Sequence, residues 1–384
     1  MKMVEKLKII LSIILFCFCF NSCKTDTNES NSFNEPKIKQ ADAILLSPPM
    51  KKGEINMKDI VEEINIVPLE TTTESLIGYI EDIQFDNGFI FIADRKTNEL
   101  LIFSIDGHFV TKISALGNGS EEYVSFNGFD IDKDNNIIYL LDGTKGNILQ
   151  WNYCGEYLGH TDLPFKNIDT FIYAGNNSFY VNFGFRQDDF NKSSPHNLIL
   201  YNAISKQIES SFFPFDFNLF QLRILDNSLF FKNENNIYYR TLFGNKIYKI
   251  EKDSLIEMVE CDFGEYQIPF DCYFLTNKEF KKIQEEKLYS KLGKFLDFDK
   301  WIYIRIDRSR MSGHYFYDKK IEKGYLDISH IMSKSNFISQ DIYKYDENTF
   351  CGWINPEQIF SFDKYSNDEI VSDDNPILIF YKLK

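Results

Sequence analysis

Two aspartates recur at matching places in the first half of the chain. Asp94 ends the apolar run Phe89–Asp94, and Asp142 ends the equivalent run Ile137–Asp142. Carboxylates can bind divalent cations or act as general acids and bases. We therefore take Asp94 and Asp142 as candidate ligand-binding residues, and as the basis of one functional hypothesis, a hydrolase or lyase with a divalent cation.

The segment that precedes Asp142 begins like a calcium-binding loop. Asp130, Asp132 and Asp134 occupy its first, third and fifth positions. Asn135 stands where such a loop needs glycine and Leu141 where it needs a bidentate glutamate. The pattern favours a solvated hairpin with side-chain-to-backbone hydrogen bonds. We predict no cofactor and no metal ligands, although calcium stays open as an alternative.

Basic side chains cluster where a later apolar run meets a turn. Arg305 and Arg308 flank Asp307 there. They would either face an axial opening and bind a ligand or belong to a solvated hairpin. We retain Arg305 and Arg308 as further candidate ligand-binding residues.

Other catalytic patterns are weak. Gly117–Ser120 resembles a phosphate loop, but no lysine and no helix follow it. No Gly-x-Ser-x-Gly elbow occurs. The five histidines form no His-x-His or His-Glu-x-x-His pattern.

The N-terminus has the features of an export signal. Met1–Lys8 is basic, and Ile9–Phe20 is an apolar stretch too short to span a membrane. Ser22 precedes Cys23, which resembles the lipobox of bacterial lipoproteins, where the cysteine receives a diacylglycerol group. We predict a signal peptide over residues 1–22, lipidation of Cys23, and a polar tether over residues 23–59. The expected location is the cell envelope, in the outer membrane, with the lipid anchor as the only membrane contact.

Cysteine usage beyond Cys23 indicates no disulfide framework. No Cys-x-x-Cys pair and no zinc pattern occurs. Buried, unpaired cysteines in strands are the expected form, and their disulfide state stays open. The residues concerned are Cys154, Cys261, Cys272 and Cys351.

An internal repeat organises the rest of the chain. Residues 87–94 align without gaps with residues 135–142, and the register continues from Gly107 to Gly155. Each copy predicts four short strands with glycine in the last turn, which is one blade of a β-propeller. More divergent copies follow to the C-terminus, with one inserted helix over Asn277–Ser290. The prediction is an all-β, six-bladed propeller over residues 60–384, in which Ile64–Leu69 pairs with Ile377–Lys382.

Aromatic residues make up 16% of the chain. Those that recur at equivalent blade positions are predicted to pack between blades: Phe89, Phe91, Phe103, Phe109, Tyr139, Trp151 and Tyr157. Aromatic residues outside the repeat are freer to contact a ligand: Phe185, Phe190, Phe215, Phe217 and Phe220.

Several segments resemble a known group of proteins. They are Ile66–Thr72, Gly117–Tyr123, Asn245–Tyr248 and the ending Asp373–Lys384. Together they resemble the six-bladed, NHL-like β-propeller lipoproteins of Bacteroidetes, a group of unknown function. The resemblance implies the same fold for about residues 60–384. It implies no catalytic residue.

Charge excludes one class of partner. The chain has 42 basic and 57 acidic residues and a net charge of −15, which opposes binding to nucleic-acid phosphates.

We expect a monomeric, non-enzymatic envelope lipoprotein that uses one propeller face to bind a protein or a glycan. The hydrolase or lyase described above is the alternative.

Overall fold

The structure is a computed structural model that describes residues 37–48, 57–184, 196–214, 229–233, 236–241, 243–269, 272, 275–286, 289–308, 311–327, 341–359 and 373–384. The predicted signal peptide and Cys23 lie outside these residues, as do the aromatic residues 185, 190, 215, 217 and 220. In the described part of the chain, no helix has the length and apolar character needed to cross a membrane.

The described chain forms six β-sheets, each built on four antiparallel strands. Two strands precede the first complete blade, β1 (Lys37–Leu46) and β2 (Val61–Pro68). Blade one is β3 (Ile80–Asp86), β4 (Phe89–Asp94), β5 (Glu99–Ser104) and β6 (Phe109–Ile113). Blade two is β7 (Phe129–Asp132), β8 (Ile137–Asp142), β9 (Asn147–Asn152) and β10 (Tyr157–Asp162). Blade three is β11 (Thr170–Tyr173), β12 (Ser178–Asn182), β13 (His196–Asn202) and β14 (Gln207–Pro214).

The second half repeats the arrangement. Blade four is β15 (Phe230–Asn233), β16 (Asn236–Arg240), β17 (Lys246–Glu251) and β18 (Ser254–Cys261). Blade five is β19 (Ser290–Asp297), β20 (Trp301–Arg308), β21 (Met311–Asp318) and β22 (Lys323–Asp327). Blade six is β23 (Tyr343–Lys344), β24 (Thr349–Ile354) and β25 (Ile377–Leu383), completed by β2. The predicted six-bladed β-propeller is confirmed.

Tight turns set the strand register within the blades. Asn87 and Gly88 have φ values of 45° and 79°, the left-handed conformation that a two-residue hairpin requires. Gly107, with φ of 92°, lies so close to Pro68 that an added Cβ would stand 2.1 Å from the proline carbonyl oxygen. Glycine in the predicted last turn of the blade is therefore required by both backbone conformation and packing.

The two ends of the propeller close in one blade, as predicted. β2 pairs with β25 in antiparallel register, with Ile64 opposite Tyr381. Asn375 is 2% exposed and its side chain bonds the main chain of Glu70, Ser75 and Ile77. β25 is therefore paired on both edges, with β2 on one side and β24 on the other.

The predicted tether over residues 23–59 differs from the structure. Lys37–Leu46 forms β1, which pairs in parallel with β18 as a fifth strand of blade four. Leu46 is 1% exposed and packs in the core between blades four and five. β1 therefore belongs to the folded part of the described chain, because it pairs with an edge that blade four would otherwise leave open.

The recurring aromatic residues pack between blades, as predicted. Phe91, Phe103, Tyr139 and Trp151 are buried in clusters between blades, and Phe89, Phe109 and Tyr157 are partly buried against two of these clusters. Three of the four later cysteines, Cys261, Cys272 and Cys351, are buried and unpaired. Cys154 is also unpaired but exposed, because it occupies the β9–β10 turn rather than a strand.

Three short α-helices accompany the described strands: α1 (Met57–Ile60), α2 (Asn277–Glu286) and α3 (Pro356–Ile359). A 3₁₀ turn covers Gly264–Tyr266. The predicted helix over Asn277–Ser290 is α2, which ends earlier because Ser290 begins β19. Thr276 and Glu279 bond each other's main-chain N–H groups and cap its start. Phe280 packs on Phe243, with ring centroids 5.0 Å apart.

Candidate functional site

A cavity of about 640 Å³ lies on the propeller axis. The first strand of each blade is the innermost one, and neighbouring first strands contact each other, as β7 does with β11 and β15 with β19. The cavity is lined by the beginnings of these strands, by the loops that precede them, and by residues of blades one and five where the second strand ends and the third begins. A volume between about 300 and 1,000 Å³ is typical of a site for a small ligand or a short chain segment.

Asp82 and Lys294 form an ion pair across blades one and five on the cavity wall. The Lys294 ammonium is 3.5 Å from the Asp82 carboxylate and 3.4 Å from the centre of the Tyr343 ring. Burial within the propeller raises the pKa of Asp82 and lowers the pKa of Lys294, and each charge partly offsets the effect on the other. The pair lines the cavity, and the Asp82 side chain is the more exposed of the two, at 38% against 16% for Lys294.

Arg305 is the centre of a second group on the same wall. Its Nε lies 3.0 Å from Asp307, and its Nη1 donates to Asp341 in the segment that precedes β23. Asp307 also accepts a hydrogen bond from the Ser312 hydroxyl at 2.8 Å, and Lys291 lies 4.0 Å away. The guanidinium and its carboxylates are thereby held in fixed positions, with donors and acceptors side by side.

A second ion pair involves Asp130, which is also in the lining. Asp130 lies 2.9 Å from Lys232 and accepts the main-chain N–H of Tyr173 at 2.8 Å. The lining includes phenylalanines, but Phe129, Phe171 and Phe231 are only 5–6% exposed and pack in the clusters between blades. Paired charged side chains are therefore the main chemical feature of the cavity.

A buried histidine lies behind the Arg305 group. His314 is 7% exposed, and its Nδ1 is 3.0 Å from the Tyr303 hydroxyl. Burial lowers the pKa of His314 to about 4 and raises the pKa of Tyr303, so both are neutral at neutral pH. Cross-strand pairing places Arg305 opposite His314, which gives the guanidinium an uncharged support.

The structure places Asp94 and Asp142 away from the cavity. Both are fully buried. Asp94 accepts the main-chain N–H groups of Gly78, Tyr79 and Lys96 at 2.6–2.9 Å. Asp142 is bonded to Val124, Ser125 and Lys145 in the equivalent way. These aspartates tie the second strand of a blade to the loop that enters the blade, which explains why they recur.

We expect Asp142→Asn to lower the free energy of unfolding by about 2 kcal/mol. The amide nitrogen would face main-chain donors in place of a carboxylate oxygen, and a hydrogen bond to a charged group contributes roughly 1.5–3 kcal/mol. Urea denaturation measures the change, with Asp134→Asn at an exposed turn position of the same blade as the matched control. Unchanged stability of Asp142→Asn would contradict the connecting role.

The structure places only one of the two candidate arginines, Arg305 and Arg308, in the cavity lining. Arg305 lines the cavity as described. Arg308 pairs with Met311 at the end of the β20–β21 hairpin, and its side chain lies outside the described part of the structure. Sequence reasoning missed Asp82, Lys291, Lys294 and Asp341, which line the cavity beside Arg305. The available signal was charged residues in the first strand of a blade, a strand that otherwise packs inside the propeller.

The calcium-like segment is a hairpin, as predicted. The Asp132 carboxylate accepts the main-chain N–H groups of Asp134 and Asn135 and the Asn135 amide at 2.8–3.3 Å. Asp130 instead faces the cavity and Lys232. Among the residues that the structure describes, no three His, Cys, Asp or Glu side chains are grouped to hold a metal ion.

The loop Gly117–Ser120, which resembles a phosphate loop in sequence, is hydrogen-bonded to side chains of the protein itself. Lys145 donates to the carbonyl oxygens of Gly119 and Glu122, and the Glu122 carboxylate accepts the Gly119 N–H at 2.7 Å. Its main-chain groups are therefore bonded within the loop.

The fold and the cavity define a six-bladed β-propeller with a ligand-sized axial site. The chain belongs to the family described as domain of unknown function DUF4934, whose model matches residues 43–382. The match begins within β1, in agreement with its place in the folded unit.

Solved structures share the fold. A crystal structure described as a "Putative exported protein" from Bacteroides fragilis NCTC 9343 superposes with a TM-score of 0.71 at 17% identity, over 89% of this chain and 99% of that one. A member of the DUF4221 family from Bacteroides vulgatus ATCC 8482 gives a TM-score of 0.53 at 9% identity, over 84% and 97%. A relative named "Putative lipoprotein YvcA" from Bacillus subtilis strain 168 is 22% identical over 201 residues, 51% of this chain and 70% of the relative.

Proposed function

We propose that this protein is an exported, lipid-anchored binding protein that holds a glycan in its axial cavity without acting on it chemically. The observation that supports the proposal is the cavity of about 640 Å³, whose lining combines ion-paired side chains with the exposed aromatic residue Tyr79. Sugar hydroxyls both donate and accept hydrogen bonds, so they match neighbouring pairs such as Arg305 and Asp307. Aromatic surface complements the apolar faces of sugar rings.

The shape of the site favours a glycan over a folded partner protein. Protein–protein interfaces bury about 800 Å² per partner on broad surfaces, whereas an axial cavity admits a narrow chain. A protein partner remains the other outcome of a binding screen. In this proposal the protein is a monomer of the NHL-like, Bacteroidetes-type group.

We expect a glycan bound in the cavity to lose at least about tenfold in affinity when Lys291 is replaced by methionine. The Lys291 side chain is 29% exposed and belongs to the Arg305 group, so it can reach a ligand while contributing little to folding. Isothermal titration of the full chain in detergent, after a glycan array has selected the ligand, measures the loss.

Lys39→Met is the matched control. Lys39 belongs to an exposed ion pair with Glu251 at 3.4 Å on blade four, outside the cavity lining. Equal affinities of both variants and the wild type would place glycan binding elsewhere. Binding of an envelope protein, with no glycan bound, would replace the glycan by a protein ligand.

The proposed location is the outer membrane, through Cys23. The names of the relatives, exported in one case and lipoprotein in the other, support export and anchoring. The domain arrangement proposed is a signal peptide over residues 1–22, then a lipidated Cys23 and a tether that ends where β1 begins. Two or more acyl chains anchor a protein stably, whereas one does not.

We expect wild-type protein, but not Cys23→Ser, to incorporate radiolabelled palmitate in cells. Serine lacks the thiol that would form the thioether, so processing at that site should stop. Cys154→Ser is the control, since Cys154 is exposed and unpaired but lies within the propeller. An unlabelled wild type with its mature end elsewhere would contradict the anchor and leave the cavity proposal unaffected.

A further inference from the structure

We infer that the propeller has a second ligand site, between blades three and four, which binds a small zwitterion with an apolar body, such as a free apolar amino acid. The site is a pocket of about 290 Å³. None of its described lining residues lines the axial cavity, and it lies beside the turn that follows β11 rather than at the start of that strand. The inference therefore goes beyond the proposed function.

Two neighbouring blades form this pocket. Side chains alternate along β12, so Phe179 packs between blades two and three and Tyr180 packs between blades three and four. Leu200 stands opposite Tyr180 on β13, and Ile237 and Ile250 come from β16 and β17 of blade four. These three aliphatic side chains, each at most 7% exposed, give the pocket an apolar floor.

The Tyr180 side chain is a buried polar group that faces the pocket. It is 4% exposed and belongs to the lining. Among the residues that the structure describes, none hydrogen-bonds to its hydroxyl, whereas the Tyr239 hydroxyl of the same cluster accepts the Asn182 amide at 2.9 Å. Burial, with smaller effects from Asp253 and Glu209, raises the pKa of Tyr180. The hydroxyl therefore keeps its proton and can donate a hydrogen bond to a ligand.

The rim of the pocket has one acidic and one basic side chain. Glu209 and Lys252 are the two charged residues of the described lining, and Asp253 lies outside it. Their charged groups are 3.8 Å apart, which is close enough for an ion pair but too long for a hydrogen bond. Both side chains therefore keep hydrogen-bonding capacity for a ligand.

The two charges of the rim differ in freedom. The Glu209 side chain is 25% exposed, whereas that of Lys252 is 67% exposed. The Ser210 hydroxyl donates to the Lys252 carbonyl oxygen and so holds the β17–β18 turn beside blade three. Because an exposed ion pair contributes little to stability, the Lys252 ammonium can move from Glu209 to a ligand at small cost.

These features match a zwitterion with an apolar body. The ligand ammonium would bind the Glu209 carboxylate, and the ligand carboxylate would accept from the Tyr180 hydroxyl and from Lys252. An apolar body would cover the aliphatic floor. A ligand with a single charge would replace only one side of the Glu209–Lys252 pair. The volume is near the lower limit of ligand sites, which suits one small molecule rather than an oligosaccharide.

The test is a saturation-transfer NMR titration of the full chain in detergent with L-leucine and three related probes. Isopentylamine keeps the ammonium and lacks the carboxylate, isocaproate keeps the carboxylate and lacks the ammonium, and L-serine keeps both but lacks the apolar body. Leucine should bind at least about tenfold more tightly than each of the three. A probe that binds as tightly as leucine would overturn the assigned ligand class, and absence of leucine binding would overturn the site.

Tyr180→Phe separates ligand binding from folding. It removes a hydroxyl that no described residue bonds, so the urea midpoint should equal that of the wild type while the affinity for leucine falls about tenfold. Glu209→Gln should weaken leucine by a similar factor. Unchanged leucine affinity in both variants would overturn the inference, and a lowered urea midpoint of Tyr180→Phe would show a structural role for the hydroxyl instead.

Tyr201→Phe is the matched control. Tyr201 belongs to the same blade and is also 4% exposed, but it packs between blades two and three, on the other face of the sheet. Its loss of a hydroxyl should leave the affinity for leucine unchanged, and an equal loss in both tyrosine variants would contradict the position of the site. None of these outcomes bears on the axial cavity, whose glycan binding is measured separately.

Discussion

A chain that ends at Asn375 is expected to remain unfolded or to aggregate. Such a chain lacks β25, which pairs with β2 on one side and with β24 on the other. Removing it opens two strand edges at once, and blade six keeps only the short hairpin of β23 and β24. The ring of blades can no longer close.

The energetic reason is the burial of β25. Six of its seven residues are buried, and they belong to the clusters that join blade six to blades one and five. A buried apolar side chain contributes about 1.5–3 kcal/mol. Six of them match or exceed the whole stability of a typical domain, roughly 5–15 kcal/mol.

Near-ultraviolet circular dichroism and size-exclusion chromatography check this expectation. The matched control is a chain that starts at Met57 and lacks β1, because β1 is an added fifth strand and its loss leaves blade four with the four strands of the other blades. We expect this control to fold with reduced stability. A native, monomeric propeller without β25 would contradict the closure derived from the structure.

The fold was predictable because its signals are local. Strand, turn and strand recur from one blade to the next, and Asn87–Gly88 and Gly107 are turn residues with a conformational reason. The closing pair of β2 and β25 followed from the open edges that an unclosed propeller would have. The ending Asp373–Lys384, noticed as a resemblance, contains Asn375, whose side chain ties the C-terminus to the loop after β2.

The cavity was less predictable because its residues come from separate blades and share no local pattern. The internal repeat pointed instead to Asp94 and Asp142, which recur because each connects the second strand of its blade to the loop that enters the blade. Arg305 was found through the density of charge around it. Asp82 and Lys294 belong to blades one and five, far apart along the chain, and only the ring of blades brings them within 3.5 Å.

β1 was missed because its sequence is flanked by polar segments and its partner is distant. Lys37–Leu46 has only a short apolar stretch, and its strand conformation depends on the free edge of β18. Tertiary context, rather than propensity, decides such an element. The polar segment before it, residues 24–34, stays a predicted tether.

Lowering the pH from 7.5 to 4 is expected to reduce the free energy of unfolding by about 3 kcal/mol through His314 alone. Burial is the main reason that the pKa of His314 lies at about 4 in the folded protein, with Asp341 and Asp307 raising it and Arg305 lowering it to smaller extents. An exposed histidine in the unfolded chain has a pKa of about 6.5. Well above pH 6.5 the imidazole is neutral in both states and contributes no pH dependence.

Below pH 6.5 His314 binds a proton in the unfolded chain but stays neutral in the folded protein until the pH approaches 4. The free energy of unfolding therefore falls as the pH decreases. Linkage gives a loss of about 2 kcal/mol at pH 5 and about 3 kcal/mol at pH 4, with little further loss below that.

Carboxylates also titrate in this range, so the effect of His314 is measured as the difference between the wild type and a variant. Urea denaturation of wild type and His314→Asn at pH 7.5, 5 and 4 isolates the histidine, because asparagine retains a partner for the Tyr303 hydroxyl and does not titrate. Relative to wild type, His314→Asn should gain about 2 kcal/mol between pH 7.5 and pH 5. Parallel curves for the two proteins would instead show that His314 is protonated as readily in the folded state as in the unfolded one.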